Sequence, residues 1–191
     1  MLPSLALEPP KSDAWLHEIK FDGYRTVLVV DDGEARAFTR NRLDWSDRYR
    51  PIVETAGKLR CRSAVIDGEV VAVDDSGRPD FDGMRTAVGL RGRGLVFVAF
   101  DLMYRDGKDL RALPLEERRA ELRRLMPRSP KSRLQFSEAI AASGPDVFAS
   151  AERAIVRSSF FAGVGRAHGR LRQAAGHHPQ RVGARYRAAE A

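Results

Sequence analysis

Trp15-Leu16-His17-Glu18-Ile19-Lys20-Phe21-Asp22-Gly23-Tyr24-Arg25 sets a lysine among a carboxylate, a glycine and an arginine, in the pattern K-x-D-G-x-R. Its alternating, charged residues read as a strand that runs into a tight turn at Asp22-Gly23. A lysine amine in such company can attack the α-phosphorus of a nucleoside triphosphate and hold the nucleotide as a phosphoramidate. It must first lose its proton, and the phosphate charge must be neutralised. At a reference pKa near 10.4, only about 0.04% of a free lysine is neutral at pH 7. Lys20 therefore needs burial or a nearby cation, and Arg25 is one such cation. Glu18, two residues before Lys20, shares its strand face, because side-chain directions repeat every second residue. The same eleven residues would also serve as an edge strand carrying a surface ion pair, so their neighbours in the sequence decide the matter.

Working outward, alternating and β-branched runs at 16–20, 25–30, 35–39, 64–73 and 95–104 read as strands. Asp31-Asp32-Gly33 predicts a hairpin between the second and third, and Asp74-Asp75-Ser76-Gly77 a turn after the fourth. Helices are expected over 51–58, opening on Pro51, and over 114–126, where Leu115, Ala120, Leu122 and Leu125 form an apolar side among charges. A further strand is expected at 133–137 and the start of a helix at 145–151. These elements predict an α+β fold of antiparallel sheets flanked by helices.

The chain has 191 residues, 43% of them hydrophobic, enough for one sizeable core. Residues 1–150 read as one domain and 151–191 as an Arg/Ala/Gly-rich tail, expected to be partly disordered. No run approaches the roughly 20 apolar residues of a membrane span, and the N-terminal residues lack a basic start, so a cytosolic protein is expected. Cys61 is the lone cysteine, which excludes an internal disulfide; a small buried side chain is its expected role. The formal charge of +7 is lopsided: residues 152–191 hold eight arginines and two glutamates, and the rest of the chain is nearly neutral. The tail is expected to attract phosphate non-specifically, whereas nucleic-acid contacts elsewhere must come from individually placed arginines. His168, His177 and His178 lack a nearby carboxylate or cysteine and read as solvated surface.

Three further motifs follow the lysine in order: Phe38-Thr39-Arg40-Asn41, Ile66-Asp67-Gly68-Glu69-Val70-Val71 and Phe97-Val98-Ala99-Phe100-Asp101-Leu102. Together the four resemble the ATP-dependent DNA ligase adenylation domain, from about Leu2 to about Phe148. The stretch around Lys20 looks most like the ligase domains of bacterial end-joining proteins. The resemblance implies that Lys20 takes the AMP, that Glu18 contacts the exocyclic amine of adenine, and that Arg25 partners the ribose and phosphate. It assigns Arg40 to the nucleotide and the 5′-phosphate at a nick, Glu69 to the ribose and the catalytic metal, and Phe100 to stacking on adenine. Asp22, Gly23 and Asp67 are supporting residues, with Gly23 permitting positive φ and close backbone approach. Charges inside the apolar strand at 64–73 are costly unless paired, metal-bound or facing a cleft, which favours a functional Asp67 and Glu69.

The resemblance further implies ATP and Mg²⁺ as cofactors and nicked or broken double-stranded DNA as partner, with separate end-joining factors and a nucleoid-associated site in the bacterial cytosol. There are departures. Arg42 stands where the family usually has glycine, and is expected to hinder a left-handed turn. No lysine follows Lys131, so the family's paired-lysine element is unmatched, and Glu152-Arg153-Ala154-Ile155-Val156-Arg157 is only a degenerate echo of its second glutamate element. The composition break near Ala151 is what a truncation or a change of reading frame would leave. The leading expectation is a DNA ligase that forms lysyl-AMP but lacks parts needed for full ligation. The alternatives are a catalytically impaired nucleotide- or nick-binding remnant, or an RNA ligase or capping enzyme sharing the lysine motif.

Overall fold

A computed structural model describes residues 15–19, 21, 23–74, 80, 83–89, 92, 94–139 and 184–188. Contacts divide the chain into two units, Met1–Lys20 with Ala139–Arg187, and Phe21–Glu138 with Ala188–Ala191. In the first unit, β1 (Trp15–Ile19) pairs with β8 (Ala184–Ala188) in a two-stranded sheet, and an isolated antiparallel bridge joins Glu18 to Ala139. Residues 184–188 belong to the tail whose composition predicts little regular structure. The expected helix at 145–151, the echo at 152–157 and the three tail histidines lie outside the described residues, as does most of the expected turn at 74–77.

The second unit is built on six strands: β2 (Tyr24–Asp31), β3 (Glu34–Thr39), β4 (Ser63–Ala72), β5 (Leu95–Arg105), β6 (Lys108–Asp109) and β7 (Leu134–Phe136). Their order is β3-β2-β4-β5-β6, with β7 also on β5. All pairs are antiparallel except β5 with β7, which run parallel, so the expected antiparallel sheet is in fact mixed. The hairpin between β2 and β3 turns on Asp32 and Gly33, at φ 44° and 84°, the left-handed pair that suits a two-residue loop to the twist of its strands.

Residues on β2 alternate buried and half-buried. Thr26, Leu28 and Val30 face the core with Ala37 of β3, with Ala64, Ile66, Val70 and Ala72 of β4, and with Leu95, Phe97 and Ala99 of β5. Three helices, α1 (Arg50–Ala56), α2 (Met84–Gly89) and α3 (Leu115–Leu125), add Ile52, Ala56, Met84, Val88, Leu122 and Leu125 to that core. α3 carries Glu116 and Glu117 in its first turn and Arg123 and Arg124 in its last, in accord with its dipole. Cys61 is half-buried against this core rather than fully buried, and burial pushes its thiol pKa up. The opposite sheet face carries Arg25, Asp67, Glu69, Val98 and Phe100, which β-strand alternation places together.

Candidate active site

β2 and β4 are in register with Arg25 opposite Glu69 and Val27 opposite Asp67. Arg25 nonetheless donates to Asp67, from Nε to Oδ1 at 3.2 Å and from Nη2 to Oδ2 at 2.6 Å. This two-point grip is the geometry that most favours arginine with carboxylate. Hydrogen bonding to Asp67 raises the Arg25 pKa above its usual value against the desolvation of partial burial, and the charges of Asp67, Glu69 and Asp101 add to the rise. The guanidinium therefore stands among three carboxylates. Its charge is partly offset by them. Its Cζ also lies 5.7 Å from the centre of the Phe100 ring.

The β4–β5 register shifts between Asp67 and Gly68: Asp67 faces Asp101 and Gly68 faces Ala99, which leaves Phe100 as the additional residue of a bulge. Bulges re-aim side chains and recur beside active sites. Here the bulge sets Phe100 and Asp101 next to the Arg25–Asp67 pair. Phe100, Asp67 and Glu69 are all buried. Asp101 accepts from Arg118 of α3, from Nε at 2.9 Å and Nη2 at 3.2 Å.

Two glycines of the motifs are required for space. A Cβ on Gly23 would collide with the Val70 carbonyl oxygen, and one on Gly68 would meet the Phe97 ring and lie 2.6 Å from the Val98 carbonyl oxygen. The close approach expected of Gly23 is present, but the positive φ is not: it is absent from the left-handed glycines Gly33, Gly92, Gly94 and Gly107.

Arg40 is exposed in the turn after β3. The expectation that Arg42 would hinder a left-handed turn is overturned, for Arg42 adopts φ 61°. The loop leaves it no alternative. Thr39 N donates to Leu43 O, Arg42 N to Thr39 O and Leu43 N to Thr39 Oγ1, at 2.9, 2.8 and 3.2 Å, closing the chain on itself around Arg42.

Lys20 and Asp22 lie outside the described residues. Glu18 is buried in β1, and its side chain belongs to the first unit. Arg25, Asp67, Glu69 and Phe100 are brought together in the second, where Gly23 packs against Val70. Sequence reading missed Arg118 and Arg119, which occupy a helix whose many charges read as a solvated face. Among the described residues no group of three histidine, cysteine, aspartate or glutamate side chains is placed to hold a metal. A cleft of about 430 Å³ lined by Asp47, Arg48, Arg50, Val88 and Gly89 shares no residue with this cluster.

The fold is that of a ligase nucleotidyltransferase domain. It is similar to "mycobacterial DNA ligase D complexed with ATP and MES", at TM-score 0.61 and 31% identity over 75% of this chain and 46% of that one. The ligase domain from M. tuberculosis LigD is similar at TM-score 0.59 and 32% identity, again over 75% and 46%. The chain belongs to the ATP dependent DNA ligase domain family, whose sequence model matches residues 3–159. A multifunctional non-homologous end joining protein LigD of Pseudomonas aeruginosa is 40% identical over 151 residues, and a probable DNA ligase of Streptomyces coelicolor 35% over 150. These alignments cover 78% and 74% of this chain, which spans 18% and 28% of the two relatives. Among the described residues no helix is long and apolar enough to cross a membrane.

Proposed function

We propose that this chain carries the ATP-binding, self-adenylating part of a DNA ligase that works in double-strand DNA repair in the bacterial cytosol. The observation that supports this most is the cluster of Arg25, Asp67, Glu69 and Phe100 on one sheet face: a ring for a base, and a guanidinium and carboxylates for a ribose and phosphates. Lys20 is the nucleophile. Its neutral amine attacks the α-phosphorus of ATP, the new N–P bond replaces the bond to the β-phosphate oxygen, pyrophosphate leaves, and the amine proton passes to solvent. Phe100 stacks on adenine, Glu18 reads its exocyclic amine, and Arg25, held by Asp67, meets the ribose and α-phosphate. Arg40 serves the nucleotide and the DNA 5′-phosphate. The AMP then passes to the 5′-phosphate of nicked or broken DNA, and the 3′-hydroxyl displaces it.

Mg²⁺, when bound, neutralises charge on the triphosphate. It commonly takes one or two protein carboxylates and completes its shell with substrate phosphates and water, an arrangement that Glu69 fits without a three-residue cluster. Separate end-joining factors are the partners this reading implies.

Incubation with α-labelled ATP and Mg²⁺, followed by intact mass measurement, tests the proposal. The wild-type chain should gain one acid-labile AMP, and Lys20→Arg none, since a guanidinium stays protonated at neutral pH. A second reading, a catalytically impaired nucleotide- or nick-binding remnant, is favoured by the unmatched paired-lysine element. Bound ATP without any adduct, even at high pH where more Lys20 is neutral, would select it.

A further inference from the structure

The apolar face of α3 contains a residue that does not belong to an apolar face. Leu115, Arg119, Leu122 and Leu125 are its buried positions, and Arg119 is only 5% exposed. A buried guanidinium is costly unless its N–H groups find acceptors. Arg119 donates from Nη1 to the Phe100 carbonyl at 3.1 Å and from Nη2 to the Ser137 carbonyl at 2.6 Å, and it lies 4.8 Å over the Phe136 ring. The place is a gap in the sheet. β7 pairs with β5 only as far as Ala99, and β6 pairs with it only at Tyr104 and Arg105, so the Phe100 carbonyl falls between the two. The preceding arginine, Arg118, holds the next residue of the same bulge by its carboxylate, and its side chain is 17% exposed.

Two consecutive helix residues thus grip two consecutive strand residues, one through the backbone and one through the side chain. A helix that packed on β5 for stability alone would need only its leucines. We propose that Arg118 and Arg119 are positioning residues for the nucleotide site. Arg119 fixes the height and tilt of the Phe100 ring through its carbonyl. Arg118 engages Asp101, which stands opposite Asp67 in the register and contributes to the field on Arg25, and so leaves Asp67 as the carboxylate that orients that guanidinium. This inference rests on the reading that Phe100 stacks on the base of ATP.

The test is ATP binding by calorimetry with the full chain and its Phe100→Ala, Arg118→Gln, Arg119→Lys and Arg123→Gln variants, each checked by thermal melting. Arg123 lies on the same helix, pairs with Glu138 and shares the Phe136 ring with Arg119 at 5.3 Å, but among the described residues it donates no hydrogen bond to Phe100 or Asp101. Arg118→Gln and Arg119→Lys should each weaken ATP about 2- to 150-fold, the range that coupling through one neighbour spans, while Arg123→Gln leaves affinity unchanged. Combining either with Phe100→Ala should add nothing, because both act through Phe100 and its bulge. A purely structural role would instead lower melting temperature and affinity additively in the two backgrounds. If Arg119→Lys does not fold, Arg118→Gln and its double variant decide alone. Should Phe100→Ala weaken ATP while the arginine variants do not, the positioning role is overturned and the stacking reading stands. Unchanged affinity in Phe100→Ala, or no ATP binding by wild type, overturns both.

Discussion

Arg25 reaches past Glu69, its partner in the β2–β4 register, to grip Asp67 on the diagonal. The two acidic residues of Asp67-Gly68-Glu69 therefore have different relations to the same guanidinium: one holds it by hydrogen bonds, the other acts on it through charge.

Asp67→Asn should destabilise the protein by about 1–2 kcal/mol; the usual cost of breaking a buried pair is discounted because the Arg25 side chain is 32% exposed. Glu69→Gln, which keeps that grip, should cost less. Urea unfolding of the two variants decides it, and a larger loss for Glu69→Gln would mean that the diagonal contact is not what holds Arg25.

Gly68→Ala should be among the most damaging single-methyl additions in the sheet, because the Phe97 ring and the Val98 backbone occupy the place of its Cβ. A loss of about 3 kcal/mol or more is expected. Gly23→Ala should behave similarly against the Val70 backbone. Soluble variants that melt like wild type would show that the strands separate more easily than the register implies.

Arg42→Gly should be neutral or stabilising. A left-handed backbone costs a non-glycine residue about 1–2 kcal/mol, and glycine returns about 0.5–1 kcal/mol of that through the entropy of the unfolded chain. The expected gain is about 0–1 kcal/mol in chemical denaturation. A clear loss would assign the Arg42 side chain a contact worth more than its backbone strain.

Tyr49 is fully buried, and burial raises its phenol pKa above the usual value near 10, against a smaller opposing pull from the Thr26 hydroxyl; Tyr24 raises it further and Arg48 lowers it. The sign follows from proton binding. Above about pH 10 the unfolded chain loses this proton while the folded one keeps it, so stability is full below that pH and falls as pH rises beyond it. Tyr49→Phe should flatten the fall in melting temperature between about pH 10 and 11 while changing little at pH 7. An unaltered slope would place the alkaline loss elsewhere.

What was legible in the sequence follows the physics of each element. β2, β4 and β5 announce themselves because a strand with one face on the core must alternate, or run apolar when both faces are covered. β6 did not, since Lys108-Asp109 has no apolar member, and α2 spans too few residues to display a helical period. The parallel direction of β7 depends on where the chain returns, which no local pattern encodes. Ala184-Arg185-Tyr186-Arg187-Ala188 does alternate, but its surroundings hid it. At the candidate site, the motif residues Arg25, Asp67, Glu69 and Phe100 were legible. Arg118 and Arg119 were not, because a basic residue on a charged helix signals solvent until its partners are known.

The pairing of β1 with β8 bears on how the molecule forms. The second unit can collapse from neighbours in sequence, hairpin upon hairpin. The strand that carries Glu18 and leads directly into Lys20 has to wait for a partner almost the whole chain away, so its closure is the late, entropically slow event. On the ribosome, the β2–β5 sheet would stand assembled while the lysine strand still lacked its neighbour. The strand leading into Lys20 would thus close only after residues 184–188 have been made.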